Sequence, residues 1–157
     1  MNRIALLGLL LFPMLSHAAY RCDPSAAPDV IEQSFGAELE RLSAAQKAAE
    51  ATHEAKLSRI GDELVKSGAW SSADRARFYQ DLMVDQIFAK EEKLKAKYLA
   101  SFMASMEAAE KASGKDSAEL CRLAEGALSI FGEIVSSNQR QWHYMENELS
   151  KVQRKGS

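Results

Sequence analysis

From Asp29 to Ser157 the chain contains no proline, and that absence constrains its fold more than any other feature. A proline inside a helix costs about 3 kcal/mol, so a run this long without one leaves nearly continuous helix open to the chain. The three prolines present, Pro13, Pro24 and Pro28, all precede it. No segment alternates apolar and polar residues over six or more positions, the pattern of a half-buried strand. Ala, Glu, Lys, Ser and Leu dominate, a composition of long helices. The sequence predicts an all-α fold.

Two glycine-centred breaks divide the proline-free stretch. Lys66-Ser67-Gly68 supplies a basic last turn and a C-terminal glycine, and Ser113-Gly114-Lys115 supplies the second break. The expected helices therefore cover about 29–66, 72–112 and 117–152 within one domain of residues 29–152. Pro28 suits the first helical position, residues 19–28 form an extended lead-in, and residues 153–157 are expected to fray. Ser71 or Ser72 caps the second helix, with Asp74 in its first turn. Asp116-Ser117-Ala118-Glu119 resembles a capping box with Asp in the usual Ser or Thr place.

Short connections fold successive helices back on each other, giving an elongated, coiled-coil-like, up-down-up three-helix bundle. Each helix is about 55 Å long at 1.5 Å per residue. In this arrangement the 71–112 stretch is the central strut. Tyr79, Met83, Ile87, Leu94, Tyr98, Phe102 and Met106 form its main seam. Phe78, Leu82, Phe88, Leu99 and Met103 add a second apolar stripe for a second neighbour, although Met83, Met103, Met106 and Met145 are also adaptable side chains of the kind found on binding surfaces.

Residues 1–18 read as a leader. Met1-Asn2-Arg3 is followed by the apolar run Ile4 to Leu15 and by Ser16-His17-Ala18, so cleavage is expected after Ala18. The apolar run is short for a bilayer span, so no stable membrane anchor is expected after cleavage. The predicted location is periplasmic or secreted. Without Arg3 the balance is 19 basic against 22 acidic residues, a net charge near −3, which argues against nucleic acid as a partner.

Cys22 and Cys121 are the only cysteines. In an up-down-up bundle the first and third helices begin at the same end. Cys22 precedes the first and Cys121 lies in the opening turns of the third. The topology predicts a Cys22–Cys121 disulfide, suited to an oxidising compartment.

Counting outward from the two turns sets Gln46–Lys56 opposite Met83–Lys93, and that level opposite Val135–Met145. Apolar bulk is thin here, and His53, Gln86 and Trp142, with His143 adjacent, fall at one height. His53 reads as a seam histidine bonded to Gln86 and covered by the indole, or else as a pH- or metal-responsive point. Two histidines without an i, i+4 pair or a cysteine ligand make a poor metal site, so no metal or cofactor is assigned. Trp70, placed in a turn, is a candidate partner contact together with His53, Gln86, Trp142 and His143.

No nucleophile elbow, phosphate loop or His-Glu-x-x-His motif occurs, and no catalytic residue is assigned. Leu42-Ser43-Ala44-Ala45-Gln46 is similar to the Leu-Thr-x-x-Gln segments of Spy-like periplasmic chaperones, once and over five residues, which identifies no family. The expected function is non-enzymatic binding of a protein partner, as chaperone, adaptor or toxin inhibitor of the immunity-protein type. A structural or assembly role in the envelope or a secretion apparatus is the alternative, and a metal or pH sensor on His53 is the third.

Overall fold

The computed structural model describes residues 20–155 except Lys115. The leader expected over residues 1–18 lies outside the described residues. Four helices account for nearly all of the rest: α1 (Pro28–Lys66), α2 (Ser72–Val84), α3 (Gln86–Ala112) and α4 (Ser117–Lys155). The all-α reading holds, and the count of three helices does not.

The difference lies at Asp85, which divides the expected 72–112 helix. Its backbone is extended, with φ −63° and ψ 142°, and its carboxylate accepts from the N–H groups of Ile87 at 2.7 Å and Phe88 at 3.4 Å. Asp85 thus ends α2 and caps α3. Its backbone N–H still bonds the carbonyl of Leu82, so the chain turns without abandoning its donors. Neither Gly nor Pro marks the break, because an N-capping aspartate performs it.

The other termini follow ordinary capping chemistry. Pro28 occupies the first turn of α1, as its missing N–H favours. Gly68 and Gly114 take the left-handed turn positions, at φ +76° and +69°, where a Cβ would be strained. Ser71 and Asp74 form a complete capping box on α2. At α4 only half of the expected box is present. Asp116 accepts from the N–H groups of Ala118 and Glu119, while the Glu119 side chain turns to Arg122. At the far end, helix continues through the stretch expected to fray, as far as Lys155.

The hub of the fold is α4, not the 71–112 stretch. It packs along α3, running antiparallel to it, and along α1, running parallel to it, whereas α1 and α3 barely meet. The reason is visible in its apolar stripe: Leu120, Ala124, Ala127, Leu128, Val135 and Leu149 are all buried. Among α3 residues Ala109 alone is as deeply enclosed. A 39-residue helix with apolar positions on two adjoining faces serves two neighbours at once.

Two apolar clusters sit at opposite ends. At one, Ile31, Ala109, Leu120 and Cys121 meet, with Cys22, Ala26 and Leu123 packed against them. At the other, Leu57, Ile60, Leu64 and Leu149 form a core covered by Trp70, Phe78, Trp142, Met145 and Val152. The Cys22–Cys121 disulfide is formed. Two hydrogen bonds also tie the lead-in to α4: the Cys22 N–H donates to Glu125 at 3.0 Å, and the Ser117 hydroxyl donates to the Ala26 carbonyl at 2.9 Å.

Candidate functional site

Because α1 and α3 both lean on α4 and barely on each other, a furrow opens between them near the disulfide. Its volume is about 830 Å³. Leu120 and Ala124 of α4 form the floor, with Ile31 and Phe35 on the α1 side and Ala104, Met106 and Ala109 on the α3 side. Met103 reaches the furrow yet is 60% exposed, and neighbouring Leu99 is 54% exposed. Both lie on the stripe expected to meet a second neighbour. They lack cover because the helix they would pack against, α1, stands off from α3.

Glu32 on the α1 bank and Glu107 and Glu110 on the α3 bank rim the opening, and none of its described lining residues is basic. Glu32 accepts from the Ser113 hydroxyl across the closed end of the furrow. Lys111 pairs with Glu107 from outside the lining. The site offers an apolar trough between two acidic edges.

A polar layer crosses the middle of the molecule. Glu91 accepts from the Ser137 hydroxyl at 2.7 Å and from the Arg140 guanidinium at 2.9 and 3.0 Å. Gln141, buried, donates to Glu92 at 2.8 Å and to the Phe88 carbonyl at 3.3 Å. The hydrogen bonds from Arg140 hold the Glu91 carboxyl below its usual range, and those from Lys95 and Gln141 do the same for Glu92. These pairs fall at the α3–α4 level counted from the turns. Ser137 and Gln141 are buried, so a slip of α3 along α4 that left them unpaired would be penalised.

On the α1 side of the layer, His53 Nδ1 lies 2.6 Å from Glu146 Oε1, and Lys56 donates to the other carboxylate oxygen. Burial pushes the Glu146 carboxyl up, and the bonds from Lys56 and His53 outweigh it, so the net shift is downward. The Trp142 indole stacks on His53, with centroids 5.7 Å apart and planes at 5°, and His143 meets the same ring edge-on at 5.9 Å.

The residues singled out in the sequence divide accordingly. His53, Trp142 and His143 come together. Gln86 does not join them: it stands exposed in the first turn of α3, because the break at Asp85 turns the chain there, and Glu146 is the partner of His53. Trp70 packs inward, 5.1 Å from the Phe78 ring, over the Leu57–Leu149 core. Glu146 was missed because a carboxylate on a largely apolar helix face looks like one more solvated charge. Its signal is its place one turn beyond Trp142 on the face carrying Leu149.

Among the described residues no cluster of three or more His, Cys, Asp or Glu could hold a metal ion. No helix among them is long and apolar enough to cross a membrane. No protein-family model, curated protein or solved structure matches the chain.

Proposed function

We propose that this is an exported, non-enzymatic helical protein that binds a protein partner through the furrow between α1 and α3. The observation that carries the reading is the uncovered apolar trough itself. Phe35, Met103 and Met106 border a space large enough for several side chains, beside a covalently clipped end. Exposed contiguous apolar surface on a small protein marks interaction sites, and methionine adapts to varied partners. The disulfide supports an oxidising compartment, in keeping with the leader pattern of residues 1–18. Chaperone, adaptor and inhibitor roles share this surface chemistry.

A photo-crosslinking amino acid placed at Met103 tests the reading. It is expected to give a discrete adduct in the producing cells, and the same group at exposed Lys47 on α1 is expected to give none. Equal labelling at both positions would remove the furrow from consideration.

An assembly role has a separate observation behind it. Met83, Val84 and Ile87 flank the Asp85 break and are 66%, 79% and 55% exposed. Self-association through that corner would show as a concentration-dependent mass in light scattering, abolished by Val84→Lys.

A further inference from the structure

Three parallel or antiparallel helices that leave a straight trough between two of them make an incomplete four-helix arrangement. Here α4 floors the trough, and α1 and α3 are its walls. With Ile31–Phe35 of α1 and Leu120–Ala124 of α4 closing about one turn at its disulfide end, the α3 wall runs from Ala100 to Ser113, which at 1.5 Å per residue gives a face about 20 Å long. That length takes three to four turns of helix. The small side chains Ala100, Ala104 and Ala124 along the trough let another backbone approach closely.

Both banks carry acidic groups: Glu32 on α1, and Glu107 and Glu110 on α3, all exposed. Lys111 offsets Glu107, while Glu32 and Glu110 keep a negative charge on each side. A ligand lying in the trough therefore meets apolar groups beneath it and carboxylates along both edges.

We infer that the furrow takes an amphipathic α-helix of a partner protein, about four turns long, whose apolar stripe is flanked on both sides by Lys or Arg. The inference rests on the protein-binding reading above and specifies its ligand. The apolar stripe supplies affinity by displacing water from the Phe35–Met103–Leu120 surface. The cationic flanks supply orientation and rate of encounter through the acidic banks. An acidic helix would bury its charges against like charge, and an extended segment would leave backbone donors unpaired against side-chain walls.

Fluorescence polarisation with three labelled synthetic peptides of about sixteen residues tests it. One is a Leu-striped helix with Lys flanks, the second has Glu in place of Lys, and the third keeps the composition of the first with its Leu scattered round the helix. The oxidised protein is expected to bind the first at least about tenfold more tightly than the other two. Ala104→Trp fills the trough from an exposed position and is expected to abolish that binding with an unchanged circular dichroism spectrum. Glu107→Lys with Glu110→Lys is expected to reverse the preference between Lys and Glu peptides.

Equal binding of the scattered peptide overturns the trough as the recognition element, and equal binding of the Glu peptide overturns the role of the acidic banks. If none of the peptides binds and sedimentation shows a dimer that Ala104→Trp dissolves, a second copy of this chain is the occupant and the inference fails. A Met103-specific cross-link without peptide binding rejects the cationic helix alone. Loss of that cross-link rejects the protein-binding reading beneath it.

Discussion

At the end of the molecule built on Leu149, α1, α2 and α4 close round an apolar core that needs no covalent help. At the disulfide end α1, α3 and α4 meet round Ile31, Ala109, Leu120 and Cys121, and the furrow opens directly beside that contact. The number of neighbours per helix explains the contrast. At the Leu149 end the turn after α1 sends Trp70 and Phe78 back over Leu57, Ile60 and Leu64, so the α1 stripe is covered from two sides. At the disulfide end α1 packs mainly on α4 and touches α3 near Ala109, and the bond between Cys22 and Cys121 adds a covalent tie to that smaller contact. The enclosed apolar core lies at the Leu149 end and the open furrow at the disulfide end.

Removing the same kind of side chain from both ends should give the largest difference. Leu149 is fully buried, and Leu149→Ala is expected to cost about 2–5 kcal/mol from lost transfer and an unfilled cavity. Met103→Ala at the open end is expected to cost less than about 0.5 kcal/mol, since that side chain already faces solvent. Urea unfolding of both variants checks the pair. Similar costs would mean that the furrow is closed in solution.

The disulfide comes next. It closes a separation of 99 residues, for which the chain-entropy model gives at most about 4.7 kcal/mol, and we expect about 2–4 kcal/mol for Cys22→Ser with Cys121→Ser. The loss should be local as well as global. Hydrogen exchange should rise along Ile31–Leu42 of α1 while the Leu57–Leu64 amides stay protected, because only the first group depends on the clip. Uniform deprotection along α1 would show that the two ends are not independent.

These elements were legible in the sequence to unequal degrees. The all-α class and the disulfide pairing were readable because each rests on a strong signal: absent proline, turn glycines at 68 and 114, and one cysteine pair set at the same end of two helices. The dominance of α4 was not read, although its stripe was visible, because composition ranks the 71–112 stretch as equally apolar. What separates them is the turn at Asp85, and an aspartate that caps a helix has the same letter as one in water. The furrow was also hidden. Leu99 and Met103 match core spacing, and only the sparse α1–α3 contact reveals that α1 does not cover them.

The polar layer sits between the two ends and should respond to pH. Glu146 has a lowered pKa in the fold, so its ionised form contributes stability that is fully present above the unfolded carboxyl value of about 4.3. That contribution disappears as pH falls through the still lower folded value, since the unfolded chain takes up the proton first. Glu146→Gln is expected to cost about 1–2 kcal/mol at pH 7, by weakening its bonds with His53 and Lys56. The cost should shrink at pH 3, measured by urea unfolding at both values. A cost that is unchanged at pH 3 would mean that its ionisation does not stabilise the layer.

The smallest expected effect concerns the turn that makes the two ends differ. Asp85→Ala removes a cap on α3 and should cost about 1 kcal/mol, within the usual range for N-caps. Its direction is informative because alanine also favours continuous helix through residue 85. A continuous 72–112 helix could not follow both its present paths: α2 carries Phe78 onto the Leu57–Leu149 core, and α3 lies along α4. Packing of Phe78 on that core outweighs one residue's helix propensity, so the bend should persist, weakened and uncapped. Near-ultraviolet circular dichroism of the Trp70–Phe78 environment would then stay native while amides Ile87 and Phe88 lose protection. If instead the aromatic signal collapses, the Asp85 cap itself, rather than the packing on either side of it, directs α2 to one end and α3 to the other.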